Sequence, residues 1–589
     1  MSDSVISCDA LVVGAGAAGM ACAISAAHRG LSVIIAEKAP VFGGTTARSG
    51  GWLWIPDSPT AREHGFTEVP GAARAYLAHE AGASFDPGRV DAFLAHAAEA
   101  VAFFVEHAAL RFDMPVAFPD YHAEAPGGSA GGRSIVARPF DGRELGERIR
   151  DLAPVLPEMT VLGIMLASGK DVQHFMRVTR SLESFRYVAR RLARHWRDVL
   201  AHGRGMTLTN GNALAARLAK TVFDRAIPLW LSAPVQDLSI EDGRVTGATV
   251  VRDGRAVTVR ARRGVVLACG GFPWDETRRR ALFPHVAAGF DHVSPSPRAN
   301  TGDGLALGES AGGSVVTTLA NAAAWTPVSR VPRGDGGVGV MPHFIDRAKP
   351  GVIAVLDDGC RFANESHSYH DFVQEMVAAL RARGARSAHL ICDHRALRTY
   401  GLGAVGPFPV PIGRHLRSGY LKRGRTIEEL AAAAGIDAAA LAATLAEYNR
   451  DARAGTDPRF GRGATVYNRF QGDALVRPNP NVAPLERPPF YAIRIEAGDI
   501  GTFAGLAVDA DARVLGQGGR PIAGLYAVGN DAASIMGGNY PGGGITLGPA
   551  LTFGYLAGRH LAAHAAPAAE PADAPEHRTT NLPKDDPAP

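Results

Sequence analysis

"DALVVGAGAAGMACAISAAHRGLSVIIAEK", residues 9–38, sets the architecture of the first part of this chain. The apolar run from Ala10 to Val13 reads as a buried parallel strand. Gly14, Gly16 and Gly19 follow as G-x-G-x-x-G, a helical pattern runs through Ala17 and Ala18 to Arg29, and Gly30 closes it. "LSVIIAE" reads as a second strand ending at Glu37, with Lys38 behind it. Gly14 permits the tight turn, Gly16 lets a pyrophosphate approach the backbone, and Gly19 lets helix and strand pack closely. The helix N-terminus supplies partial positive charge to the phosphates. Glu37, roughly 20 residues on, is placed to accept hydrogen bonds from ribose hydroxyls. A second match, "GLGAVG" from Gly401 to Gly406, has no strand before it and no helix after it, and reads as a loop.

The 589 residues carry 62 Lys and Arg against 58 Asp and Glu, a net charge of only +4. Arginines interleave with acids in "RSLESFRYVARRLARHWRD", which reads as a solvated helix face, so no nucleic-acid partner is expected. Cys8, Cys22, Cys269, Cys360 and Cys392 are scattered, with no C-x-x-C pair, which fits a reducing cytoplasm. No stretch reads as a signal peptide or membrane span. His367 and His370 lack a third ligand at metal-binding spacing, so no metal is expected. The Pro- and Ala-rich residues 565–589 are expected to be disordered.

Downstream of Glu37, Gly43, Gly44, Thr45, Thr46, Ser49, Gly50 and Gly51 offer small groups and free donors to a ligand that extends beyond its pyrophosphate. "GLYAVGNDAAS", residues 524–534, reads as a strand and a turn carrying Gly529 and Asn530. A βαβ unit completed by a strand near the far end implies one FAD domain interrupted by an insertion. With "VVLACGGF" (265–272) and "NTGDGLALGESAGG" (300–313), this pattern resembles the flavoproteins of the fumarate reductase and 3-ketosteroid dehydrogenase superfamily. The resemblance implies an α/β chain: a Rossmann-like FAD-binding domain (1–330 and 501–564, with a helical elaboration at about 151–203) interrupted by an α+β capping domain (331–500). It also assigns Ala233, Val235, Ala268, Gly270, Asn300, Asp303, Gly529, Asn530 and Leu547 to the cofactor. Residues 39–51 hold no histidine of the kind that anchors flavin covalently in respiratory members, so dissociable FAD is expected. With no second dinucleotide fold, the electron acceptor is expected to be a quinone, a carrier protein or a dye.

The insertion opens toward "RFANESHSYHDF", residues 361–372. Fumarate reductase-like members place an arginine proton donor four residues after the Asn-Glu glutamate; here that position is Tyr369. 3-Ketosteroid Δ1-dehydrogenases resemble this chain at three places: a tyrosine there, a "DY…PGG…GR" segment (here Tyr121), and a Tyr-x-x-x-Gly near the end, here Tyr540 and Gly544 of "YPGGG". Ser368 replaces the family's usual proline. The resemblance implies a Tyr369 base removing the proton α to a ring ketone while hydride leaves the β carbon for flavin N5. Tyr540 and the Gly544 N–H would form the oxyanion hole, each donor contributing about 3 kcal/mol, backed by a helix at roughly 544–559. Ionising an ordinary phenol at pH 7 costs about 4 kcal/mol, which a Tyr121 hydrogen bond would reduce. The leading substrate is a 3-ketosteroid oxidised at Δ1. The alternatives are Δ4-(5α) oxidation, a smaller cyclic keto acid held by Arg138, Arg414 or Arg417, a fumarate reductase-like enoate reductase, and a flavin electron carrier without catalysis. Trp52, Trp54, Phe118, Trp325, Phe344 and Phe408 are candidates for a substrate cavity wall.

Overall fold

The computed structural model describes residues 5–176, 178 and 181–563; the tail at 565–589 lies outside the described residues. In chain order the elements that position the site are β1 (Val5–Val13), α1 (Ala17–His28), β2 (Val33–Ala36), α2 (Ala72–Ala81), β3 (Leu229–Trp230), β4 (Val235–Glu241), β5 (Arg244–Arg252) and β6 (Arg255–Leu267). They continue with β7 (Ala323–Pro332), β8 (Val338–Pro342), β9 (Val352–Leu356), α3 (Tyr369–Arg383), β10 (Ala388–Cys392), β11 (Phe490–Thr502), β12 (Arg513–Leu515), β13 (Pro521–Ala527) and α4 (Leu547–Ala563).

The first sheet has eight strands in the order β12-β13-β5-β6-β1-β2-β3, with β4 paired to β5. The β6 strand does two jobs. Its first half pairs antiparallel with β5, and its burial alternates as one solvated face requires. Its second half, Val265–Leu267, lies parallel between β1 and β13 and is continuously buried. The far-end strand thus joins the sheet begun at residue 5, as an interrupted α/β domain demands. The hairpins β4–β5 and β5–β6 turn on Asp242-Gly243 and Asp253-Gly254, all four at positive φ, the Asp-Gly signature of tight hairpins. A Cβ on Gly14 would stand 2.2 Å from the Ala268 carbonyl, and one on Gly19 would stand 2.0 Å from that of Gly14. Both glycines are demanded by close approach of α1 to the strand ends. The second G-x-G-x-x-G is a loop: Gly401 ends the helix His394–Tyr400, and Leu402 and Val405 bridge each other.

The inserted unit is α+β. Its seven-stranded sheet runs β8-β7-β11-β10-β9, with His292–Val293 and Lys422–Gly424 also on β11, so it draws on residues 292–293 and 323–330, which the sequence reading places before the insertion at 331–500. Short strands are the sequence expectation here, yet β11 spans 13 residues and β7 spans 10. The arginine-rich helix, Leu182–His202, lies within the segment read as an elaboration. Among the described residues no helix is long and apolar enough to cross a membrane.

The cap is locked by a charge cluster. Arg361 donates to both Glu365 oxygens, at 2.9 and 2.7 Å, and to both Asp457 oxygens, at 2.9 and 2.8 Å. Arg462 reaches Glu365 Oε2 at 3.1 Å, and the Ala354 N–H donates to Glu365 Oε1 at 3.0 Å. All four side chains are buried. Burial opposes ionisation of Glu365, but Arg361 and Arg462 outweigh it and hold its pKa below the ordinary value. A depressed carboxyl contributes stability above its unfolded pKa of ~4.3, which is lost as pH falls through the folded value. Glu365→Ala strands two buried guanidinium groups. It is expected to cost about 3–5 kcal/mol, measured by urea denaturation at pH 7, and to flatten the acid limb of the stability–pH curve.

Candidate active site

Tyr369 is delivered by the loop that the charge cluster anchors. Asn364 Oδ1 accepts from the Ser366 N–H at 2.9 Å, and Asn364 Nδ2 donates to Asn468 Oδ1 at 3.0 Å. Ser368 then caps α3: its Oγ accepts from the Asp371 N–H at 3.1 Å, leaving Tyr369 as the first helical residue. This is what serine provides where the resembling family has proline. His370 points inward, and its Nδ1 accepts from the Trp325 N–H at 3.0 Å, whereas His367 bonds Glu375 at 2.7 Å.

Tyr121 and the Tyr540–Gly544 loop are tied directly. The Tyr121 N–H donates to the Pro541 carbonyl at 2.8 Å, which also accepts from Tyr76 Oη at 2.7 Å. Buried Asp120 accepts from Arg133 Nη1 at 2.6 Å and Trp54 Nε1 at 2.8 Å. Gly544 has φ +98, and a Cβ there would lie 2.5 Å from the Leu53 nitrogen, so glycine is required by the strand Trp52–Trp54 as well as by conformation. Its carbonyl accepts from the Trp54 N–H at 3.1 Å; among the described residues its N–H has no acceptor. The helix α4 starts at Leu547, not near 544, because residues 541–546 are held as turns against that strand. Helical hydrogen bonding nonetheless begins at Gly544, whose carbonyl also accepts from the Gly548 N–H at 2.9 Å.

The three tyrosines, 248 and 171 positions apart in sequence order, converge. Tyr121 Oη donates to Tyr369 Oη at 3.2 Å. The rings of Tyr369 and Tyr540 are 5.0 Å apart, and those of Tyr121 and Tyr540 stack at 5.7 Å. The Tyr369 and Tyr540 hydroxyls influence each other's ionisation, and Thr546 influences that of Tyr540. Burial drives all three phenol pKa values above the ordinary one, strongly for Tyr121 and Tyr369. The relief expected from the Tyr121 hydrogen bond is absent: that bond adds to the rise of the Tyr369 pKa, behind desolvation as the main cause.

Of the aromatic candidates, Phe344 packs on Tyr369 at 5.1 Å, Phe118 on Tyr121 at 6.1 Å, and Trp52 on Phe118 at 5.1 Å. The others lie elsewhere: Trp54 stacks in the core on Phe93, Trp325 packs on Phe283, and Phe408 is 55% exposed. Arg138, Arg414 and Arg417 are exposed. Arg138 faces Asp113, and Arg414 bonds its neighbour His415. None of the three is among the side-chain partners of the tyrosines.

The residues assigned to the cofactor form a cradle that fits FAD. Additional Cβ atoms on Gly16 and Gly44 would meet nothing closer than 3.9 and 4.0 Å, so space opens beside the α1 N-terminus. Thr46 Oγ1 accepts from the Ala17 N–H at 3.1 Å, Thr45 Oγ1 accepts from Asn300 at 3.0 Å, and Gly43 pairs with Ala15, which joins the two glycine loops. Glu37 accepts the Ala15 and Ala39 N–H groups at 2.8 Å each, which leaves its other lone pairs for ribose. The Ala233 N–H donates to the Glu37 carbonyl, with Val235 two residues on. Lys38 is paired with Asp303 at 2.7 Å. Ser49, Gly50 and Gly51 lead into the strand under Gly544, and Gly51 touches Asn210. Asn530 packs against Gly271 and Gly501, Gly529 against Ala18, Gly270 against Asn300, and half-buried Leu547 opens α4.

Sequence reasoning missed several groups. Tyr467 packs tilted on Tyr121 at 4.4 Å and accepts from Gln471 at 2.8 Å, which extends the phenol series to four. Its helix, Val466–Gln471, carries no motif. Buried Asp531 accepts the Gly271 N–H at 2.9 Å, and a Cβ on Gly304 would meet it at 2.1 Å. Burial raises Asp531 to about 6. The Asp-Ala-Ala-Ser sequence after Asn530 is the one signal that pointed there.

A family model described as an FAD binding domain matches residues 9–547. The chain is 43% identical over 561 residues to a 4-oxocyclohex-2-ene-1-carboxylate 5-dehydrogenase of Sinomonas cyclohexanicum, covering 95% of this chain and 94% of that protein. It is 37% identical to a 3-oxosteroid 1-dehydrogenase of Mycobacterium tuberculosis, covering 94% and 98%. The solved 3-ketosteroid Δ1-dehydrogenase of Sterolibacterium denitrificans, in complex with 1,4-androstadiene-3,17-dione, superposes with a TM-score of 0.86 at 36% identity, covering 95% and 99%. This chain therefore belongs to the FAD binding domain family, among its 3-ketosteroid dehydrogenase-like members, and is an FAD-dependent oxidoreductase acting on CH–CH donors.

Proposed function

We propose that the chain introduces a carbon–carbon double bond next to a ring ketone, with a 3-ketosteroid desaturated at Δ1 as its substrate. The observation that carries this reading is the convergence of Tyr121, Tyr369 and Tyr540 beside a Gly544 N–H that donates to no acceptor among the described residues. In this reading the ketone oxygen accepts from Tyr540 Oη and the Gly544 N–H, which stabilise charge as the adjacent carbon loses its proton. Tyr369 Oη takes that proton, and the Tyr121 hydroxyl donates to the forming phenolate. FAD, held without a covalent link, supplies the hydride acceptor at N5, and a quinone or other carrier removes the electrons. Burial has opposite consequences for two of these groups. A raised pKa keeps Tyr540 protonated as a donor and makes Tyr369 a costlier base.

The aromatic, uncharged neighbours of the tyrosines favour an apolar ring ketone. A second reading, a cyclic keto acid, is favoured by the 43% identity to the Sinomonas enzyme. Flavin bleaching under anaerobic conditions separates them. Androst-4-ene-3,17-dione bleaches the enzyme under the first reading and 4-oxocyclohex-2-ene-1-carboxylate under the second; product NMR distinguishes Δ1 from Δ4 oxidation. Bleaching by neither, with fumarate reduction by reduced viologen instead, would replace both with the enoate reductase. A reducing cytoplasm suits the five unpaired thiols.

Tyr540→Phe is expected to lower kcat about 10²–10³-fold with a smaller change in KM, read by steady-state dye reduction. Because the base acts deprotonated and its pKa is raised, kcat/KM is expected to climb from pH 7 to about 9.5 without a plateau; a flat profile would remove Tyr369 as the base.

A further inference from the structure

Outside the phenol series, one cluster of charged groups joins the two segments that carry Tyr121 and Tyr369. His122, the residue after Tyr121, lies between two carboxylates. Its Nδ1 is 2.9 Å from Glu80 Oε2 on α2 and 3.0 Å from Glu80 Oε1, and its Nε2 is 2.9 Å from Asp371 Oδ2 on α3. A neutral imidazole has one N–H; only the cation donates at both nitrogens. Asp371 Oδ2 also accepts from the helix-capping Ser368 Oγ at 2.7 Å, and the His122 N–H faces Tyr76 Oη at 3.3 Å.

We propose that His122 is a positioning residue: clasped between Glu80 and Asp371, it holds the loop of Tyr121 against the start of α3 and so sets the Tyr121–Tyr369 hydroxyl contact. This rests on the reading that those two phenols remove the proton. The covalent path is short on both sides, one residue from His122 to Tyr121 and two from Asp371 to Tyr369, so a shift of the clasp moves the 3.2 Å contact directly. Burial opposes the imidazolium, yet Asp371 and Glu80 raise His122 to about 10. Against the same opposition His122 holds Asp371 at about 2. The other ionisable groups facing the clasp are Tyr76 on α2, His370 on α3 and Arg347. His370 is lowered by burial to about 4 and stays neutral, and burial raises the Tyr76 phenol, so His122 is the group of the clasp that changes charge near pH 10. Its charge persists to about pH 10, and the stability it contributes, fully present below the ordinary value, is lost as pH rises through about 10.

His122→Gln and Asp371→Asn, each as FAD-loaded enzyme, test this. In a crystal structure of either variant the Tyr121–Tyr369 Oη separation is expected to exceed about 3.5 Å; an unchanged separation in both overturns the proposal. That readout needs no turnover, so it stands even if the parent enzyme oxidises no ring ketone, an outcome that would instead sink the proposed reaction. In kinetics kcat is expected to fall about tenfold with KM changed less than about twofold, and the loss is expected not to add to that of Tyr121→Phe. Full additivity, or an unchanged kcat, overturns it. The parent's rate is expected to bend downward above pH about 10, and the His122→Gln rate to rise without that bend.

Discussion

The contact on which the site depends is an ion-pair cluster: Glu365, fully buried, between Arg361 and Arg462. A carboxylate desolvated to this degree persists only if its charge is answered in fixed geometry. Here the answer comes from Arg361, itself completed by Asp457, and from a guanidinium 97 positions later in the chain. The cluster leaves the loop between Arg361 and Ser368 with one conformation, and the cap at Ser368 converts it into the first turn of α3. Tyr369 therefore emerges from a rigid start, which a proton-abstracting group needs if its oxygen is to lie within hydrogen-bond reach.

The phenols show how one environment serves opposed requirements. Their neighbours are aromatic or aliphatic, so all of them are harder to ionise than in water. An oxyanion donor gains from that, since it keeps its proton. A base loses, and the cost falls on Tyr369, to be met by hydrogen bonding and by the charge that develops on the substrate. The aromatic walls that impose the penalty are also what a flat apolar ring system would pack against. Three relatives spanning almost the whole chain, two named for steroids and one for a cyclic keto acid, differ in substrate on one architecture.

Much of the cofactor cradle was legible in the amino-acid sequence because its constraints are local. A Cβ on Gly14 or Gly19 would stand 2.2 or 2.0 Å from main-chain oxygen, which forbids any other residue and so leaves a mark in the sequence. Asp242-Gly243 and Asp253-Gly254 mark two hairpins in the same way. Tyr467, Asp531 and the Glu80–His122–Asp371 cluster left no comparable mark. Their partners are tens to hundreds of positions away, and a lone tyrosine or carboxylate reads alike whether it packs in a core or meets a catalytic group. The same ambiguity explains Phe408, exposed rather than lining the site, and the three arginines that stay at the surface.

The sequence by itself determined the α/β plan, the return of the last strand to the first sheet, the FAD fingerprint, and the identity of three tyrosines and a glycine as a set. The first three follow from backbone sterics and from the spacing of glycines and apolar runs, which act over a few residues at a time, and the tyrosine–glycine set from the resemblance of its motifs to those of 3-ketosteroid Δ1-dehydrogenases. Only the tertiary structure decided that the phenols touch, that α4 begins after Gly544 and that burial raises every one of their pKa values. Desolvation and contact between side chains hundreds of positions apart are properties of the packed interior, and they exist only once the cap has closed over the sheet.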